Sequence, residues 1–188
     1  MNVNGDQTRD QSWRWRTCVH EAGHAVAALL LGYEGVGVAV FDGGARGLAT
    51  PHAVEKAEMP PETYHAPATL DERHRDMSWP ELLRAATYAA AGAAGEALLL
   101  QPERLRCEPR DGDAEVCYSI ARAAVPSNCN GVVERDFAAL AANRARSMLD
   151  PFESRVRRVA EELNRLGRLT AEQIVEAMYP EHATRKES

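Results

Sequence analysis

The chain has 188 residues, a length that suits one domain with a continuous core, since domains commonly run to about 100–200 residues. Hydrophobic residues make up 45% and charged residues 27%, an ordinary globular mixture that excludes a disordered or fibrous chain. A net charge of -6, with arginines spread along amphipathic stretches, leaves no basic face for a nucleic-acid backbone.

Aromatic residues are few and alanine and leucine supply most of the apolar content, so the composition favours helices. The start is polar and has no apolar stretch of the kind a secretory signal needs. Residues 1–12 read as a disordered tail, 13–180 as one domain and 181–188 as a second tail. From Trp13 to Leu31 the recurrence of Cys18, Ala22, Ala25, Val26 and Leu29 predicts a helix that Gly32 ends. Val36–Phe41 and Gly47–Thr50 then read as two short strands around a glycine-rich turn, the only strand signal in the chain. The polar, proline-punctuated stretch 51–79 reads as a long loop, fit to serve as a lid.

Pro80–Leu100 predicts one helix, so poor in side-chain bulk that another helix can approach it closely. It is interrupted by Arg84 and Glu96, which favours a buried helix over a membrane span. Further helices are expected at Asp113–Val125, at 131–149 up to Asp150-Pro151, at 152–166, and after Thr170, where Thr170 and Gln173 form a capping box. The fold class expected is mainly α, with a small β-hairpin after the first helix. Cys18, Cys107, Cys117 and Cys129 have no CxxC spacing, and they fit reduced thiols in the cytoplasm.

The chemistry is carried by His20-Glu21-Ala22-Gly23-His24. Two histidines four apart sit one turn above each other on a helix, so both rings can reach one metal ion, a pattern that points to Zn2+. Glu21 beside them is placed to act as general base, taking a proton from a metal-activated water. Small residues at Ala22, Gly23 and Ala27 leave room for an ion and a substrate. A third ligand is needed. The extended HExxHxxGxxH form fails, because Ala27 and Leu30 stand where its glycine and histidine would be. His52, His65, His74, Glu96, Asp113 and Cys117 all remain candidates on spacing. Asp113 opens a helix, where an aspartate also serves as an N-cap. Cys117 reads most simply as a core residue. Glu96 suits either of two roles, orienting a metal-binding histidine or pairing within the core.

These residues resemble the peptidase domain of the FtsH-type ATP-dependent zinc metalloproteases. The likeness starts at His20-Glu21-Ala22-Gly23-His24-Ala25. It continues at Ala91-Gly92-Ala93-Ala94-Gly95-Glu96, similar to that family's GGRAAEE, and at Gly112-Asp113-Ala114-Glu115 with Ile120-Ala121-Arg122, similar to its NDLxxATxLAR. Residues 145–178 are similar to its closing helices. The resemblance implies that Asp113 is the third zinc ligand beside His20 and His24, that Glu21 is the catalytic base, and that the strand Gly47–Thr50 lies along the cleft; its edge then reads either as a pairing site for an extended substrate or as an ordinary hairpin strand, with Pro51 limiting the pairing. Gly112 and Ala93 depart from the family's asparagine and arginine. No Walker GxxxxGK[ST] motif occurs, so the expectation is a free-standing endopeptidase acting on unfolded or flexible polypeptides, with a separate ATPase or self-association as the partner, and with no membrane segment. Two rival readings stand beside it: a catalytically silent, zinc-stabilised binding or regulatory domain, and a helical interaction domain with an accidental motif.

Overall fold

A computed structural model of the chain describes residues 4–41, 46–50, 74, 76–100, 112–125 and 131–183. The architecture is mainly helical with a small antiparallel sheet, as the sequence predicts.

Helix α1 spans Asn4–Leu30. It begins nine residues before the expected start at Trp13, taking in most of the segment read as a tail. It ends where Gly32 adopts φ 74, a conformation that costs a residue with a side chain steric strain. Gly32 N–H bonds to Leu29 O and Tyr33 N–H to Ala28 O, so the last carbonyls of the helix are satisfied as the chain turns away.

Strands β1 (Gly37–Phe41) and β2 (Arg46–Thr50) form the expected hairpin, with Val38 opposite Ala49 and Val40 opposite Gly47. A third strand, β3 (Arg168–Leu169), adds to the other side of β1 and gives the order β2-β1-β3. Two residues are too few to show alternation, which is why the sequence did not disclose it. Val40 N–H bonds to Gly167 O, so the even-numbered residues of β1 face β3 and the odd-numbered ones face β2. Leu48 lies opposite Ala39, and therefore Gly47 and Ala49 turn their backbone amides and carbonyls outward from the sheet.

The predicted helix Pro80–Leu100 is two helices, α2 (Trp79–Ala89) and α3 (Ala91–Leu99), separated by a break at Ala90. The cause is packing. Leu82, Leu83 and Ala86 of α2 belong to one core, with Ile120 and Phe137, whereas Ala91 and Ala94 of α3 belong to another, with Val26 and Leu163. The chain bends to pass from one core to the other, and an alanine run offers little steric resistance.

Helix α4 spans Gly112–Ala124, α5 Gly131–Leu149 and α6 Glu153–Leu166, with a 3-10 turn at Asp150–Phe152 marking the predicted Asp-Pro break. Phe137 and Ala141 of α5 sit in the core of α2 and α4, while Ala145 and Leu149 sit in the core of α1 and α6, so α5 ties the two together. Helix α7 (Ala171–Met178) opens on the predicted box: Thr170 Oγ1 accepts from Gln173 N–H, and Gln173 Oε1 accepts from Thr170 N–H. A short α8 (Pro180–Ala183) follows, where a tail from 181 was expected. Among the described residues, no helix is long and apolar enough to cross a membrane.

Candidate metal centre

The seam between the two cores is where α1 meets α3 and the start of α4. Close approach of α1 and α3 depends on glycine. A Cβ on Gly23 would lie 3.2 Å from Gly95 Cα and closer still to Ala91 O, so the two backbones pack where a side chain would separate them.

On that face His20 and His24 project from successive turns, their ring centroids 5.0 Å apart. Asp113, in the first turn of α4, completes the group. Its Oδ2 lies 2.7 Å from His20 Nε2 and 2.8 Å from His24 Nε2. The three ligating atoms are close enough to hold one metal ion. A tetrahedral ion with bonds of about 2.0–2.2 Å sets its ligands roughly 3.3 Å apart, so an opening of about half an ångström admits it.

The donor set fits a cation for two further reasons. His24 Nδ1 is 2.9 Å from Tyr88 O, and a carbonyl only accepts, so Nδ1 carries the hydrogen and Nε2 of the neutral ring presents a lone pair. His20 Nδ1 is likewise 2.7 Å from Glu96 Oε1, and Glu96 Oε2 accepts from Arg16 Nε at 2.5 Å. Two lone pairs and an anionic oxygen converge on one point, and only protons or a cation can occupy it. Gly92 keeps that point open, because a Cβ there would lie 2.5 Å from His24 Nε2 and against His20 Nε2.

Electrostatics agree with this arrangement. Burial alone would lower the pKa of His20, but the carboxylates of Asp113 and Glu96 outweigh it and raise it to about 10. Burial would raise that of Asp113, yet the two imidazoles hold it well below the ordinary carboxylate range. Glu21 is buried and stands apart from the ligand group. Its pKa is raised, chiefly by burial, with the two histidines opposing the shift and Asp113 and Glu96 adding to it. Gly47 of β2 lets the sheet close over this carboxylate, since a Cβ there would fall 2.6 Å from Glu21 Cδ.

Glu21, His24 and Asp113 line a cavity of about 480 Å³ with Gly47, Ala49 and His74, against apolar walls that include Val36 and Ile120. Tyr88 shares it. Its backbone carbonyl fixes His24 while its hydroxyl donates to the outward carbonyl of Ala49. Burial pushes the phenol pKa up, so the hydroxyl keeps its proton and stays a donor.

His20, His24 and Asp113 are therefore brought together, with Glu21 beside them. Of the other candidates for third ligand, Glu96 does not join the group but braces His20, and Cys117 is buried in the core of α2 and α4. His74 lines the cavity without joining the ligand group. His52, His65 and nearly all of the expected lid lie outside the described residues, as do Cys107 and Cys129; Cys18 and Cys117 are buried. Sequence reasoning missed Tyr88, Arg16, and the spacing roles of Gly92 and Gly47. Two of these are glycines within small-residue stretches, and the stretch at 91–96 was the available signal.

No protein-family model matches the chain, and no curated protein matches it.

Proposed function

We propose that this chain is a zinc-dependent endopeptidase, with His20, His24 and Asp113 as zinc ligands and Glu21 as general base. The reading rests on one observation, the convergence of two histidines and a carboxylate on one point beside a buried glutamate that lines the same cavity. Two imidazoles and a carboxylate suit zinc, and a zinc with three protein ligands keeps a fourth position for water, as catalytic sites do. A purely structural zinc has no use for a base beside it. Zinc at this point supplies a Lewis acid that acidifies water and polarises a carbonyl.

Glu21 takes one proton from the attacking water as its oxygen bonds to the carbonyl carbon, and the carbonyl electron pair moves onto oxygen. The C–N bond then breaks, and Glu21 returns the proton to the leaving amine. A raised pKa makes Glu21 a better proton acceptor than an exposed glutamate. Extended substrate pairs along β2, where Gly47 and Ala49 present outward-facing backbone groups beside Glu21. Backbone pairing requires an extended chain, so the substrates are unfolded or flexible polypeptides, and folded ones need a separate ATPase or an assembly of copies to open them. This reading accords with the resemblance to FtsH-type peptidase domains. Four cysteines without CxxC spacing, of which Cys18 and Cys117 are buried in the cores, fit a reducing compartment, and we assign the chain to the cytoplasm on that ground.

Glu21→Gln tests the reading. The variant is expected to bind zinc at wild-type stoichiometry and to lose casein and peptide cleavage by about 10²–10⁴-fold, the usual contribution of a general base. Equal cleavage by both proteins, or cleavage unaffected by chelation, removes the hydrolase assignment.

A further inference from the structure

Within β2, the residues whose backbone groups face away from β1 are Gly47 and Ala49. The two are not equally open. Gly47 is half-buried and lies against the Glu21 carboxylate, whereas Ala49, its backbone included, is only 8% exposed. The Tyr88 hydroxyl donates to the Ala49 carbonyl, the acceptor that a pairing strand would use. The phenol ring is held in place by two neighbours: its centroid lies 5.2 Å from that of His24 and 5.3 Å from that of Tyr33, and the Arg84 guanidinium lies 4.9 Å from the centroid of Tyr33. Two residues beyond Ala49, Pro51 has no N–H to donate.

We infer that Tyr88 is a specificity-determining residue that ends the substrate's backbone ladder: an extended polypeptide pairs with Gly47, beside the base, and is turned away from the sheet at Ala49. The inference rests on the β2 pairing in the hydrolase reading above and narrows it to one residue. A bare edge takes any extended chain, the edge of a second copy included, through every outward group. With the Ala49 carbonyl capped, backbone pairing contributes less, and discrimination between substrates passes to the side chains that enter the cavity. Tyr88 acts by position. Its backbone carbonyl sets His24 while its hydroxyl sets where the substrate leaves the strand.

The test uses the full zinc-loaded chain carrying Glu21→Gln, and measures binding of an unstructured casein peptide and of analogues N-methylated at each backbone nitrogen in turn. An N-methyl group removes one N–H, so affinity falls where that N–H is bonded to the protein, by about 2–10-fold per bond. Tyr88→Phe, which keeps the ring and the backbone carbonyl, is made in the same chain. It is expected to bind the unmethylated peptide about 2–10-fold more tightly, and to gain one methyl-sensitive nitrogen two residues from one already sensitive, because Ala49 O becomes free to accept. No such gain in the folded phenylalanine variant, or a pair of sensitive nitrogens two residues apart already present with Tyr88 intact, overturns the inference. If the phenylalanine variant does not fold, the scan with Tyr88 intact decides: a pair at that spacing overturns the cap, and its absence supports it. Binding needs no cleavage here, so a wild type that cleaves nothing removes the hydrolase reading alone and the scan still decides the role of Tyr88. A chain that binds no peptide overturns both.

Discussion

Helix α1 is buried on two sides, and the two are specified in different ways. Towards α6, Val156, Val159, Ala160 and Leu163 are fully buried, and they share one core with Cys18, Ala22 and Val26 of α1. What matters there is apolar volume: another set of side chains filling the same space would serve. Towards α3 and β2, the same helix presents His20 and His24 to Gly92 and Glu21 to Gly47, glycines whose missing Cβ atoms hold the geometry open. Identity matters there at the level of single atoms. The fold is thus tolerant on one face of α1 and exacting on the other, and this contrast separates residues that hold the protein together from those that shape its chemistry.

The largest expected effect comes from Gly92→Ala. Alanine favours a helix over glycine by about 1 kcal/mol, and the imidazole tips of His20 and His24 can swing away from the new methyl, so stability should change little. Zinc affinity should fall by more than about 100-fold, beyond the range of changes made outside the ligands, because the methyl sits against both Nε2 atoms. Isothermal titration with zinc, alongside thermal melting of the metal-free protein, reads both quantities. Affinity within threefold of wild type would show that the metal does not sit between these rings.

Leu163→Ala is the opposite case. The residue is fully buried in α6, and truncation should lower unfolding free energy by about 2–5 kcal/mol in denaturant melts. Zinc affinity of the folded fraction should remain within about twofold. A loss of affinity on the scale of Gly92→Ala would mean that the two faces of α1 are coupled and that the contrast between them fails.

The tolerant features were the ones most legible in the sequence. Helical spacing and Gly32 gave the end of α1, and Thr170 with Gln173 gave the start of α7. His20 and His24 were legible too, because helix geometry alone places them on one face. Asp113 was different: spacing alone does not distinguish a ligand from an N-cap, the ligand reading came from the resemblance of the segment around it, and the convergence of α4 on α1 brings its carboxylate to both histidines. The break at Ala90 left no mark, since it follows from two cores pulling on a uniform alanine stretch. Gly47 and Gly92 act through space they leave empty, which no local pattern records. His74 read as one of several loop histidines, because burial is a property of the folded chain.

Glu96 belongs to the exacting side but acts at one remove, and so has the smallest expected effect. Through His20 Nδ1 it makes Nε2 more basic, which favours a metal ion and a proton alike. His20 has a pKa of about 10 in the metal-free fold, so below that pH the ion must displace a proton, and zinc affinity should rise by about tenfold per pH unit. The sign for stability is the reverse. The folded pKa lies above the unfolded value of 6.5, so this histidine's contribution to metal-free stability is complete below pH 6.5 and is lost as pH rises towards 10. Glu96→Gln keeps an acceptor for Nδ1 but removes the charge, lowering the affinity of Nε2 for both occupants. Near pH 6.5 the two losses offset each other and the apparent zinc affinity should hardly change. As pH rises, competition from the proton fades in the variant first, and the deficit should widen towards about tenfold, the lower end for such outer carboxylates. Competition with a chelator between pH 6.5 and about 10.5, a range that spans the titration of His20, measures it. A deficit that is constant across this range would mean that Glu96 supports the site by packing and by its pair with Arg16, and not through the basicity of His20.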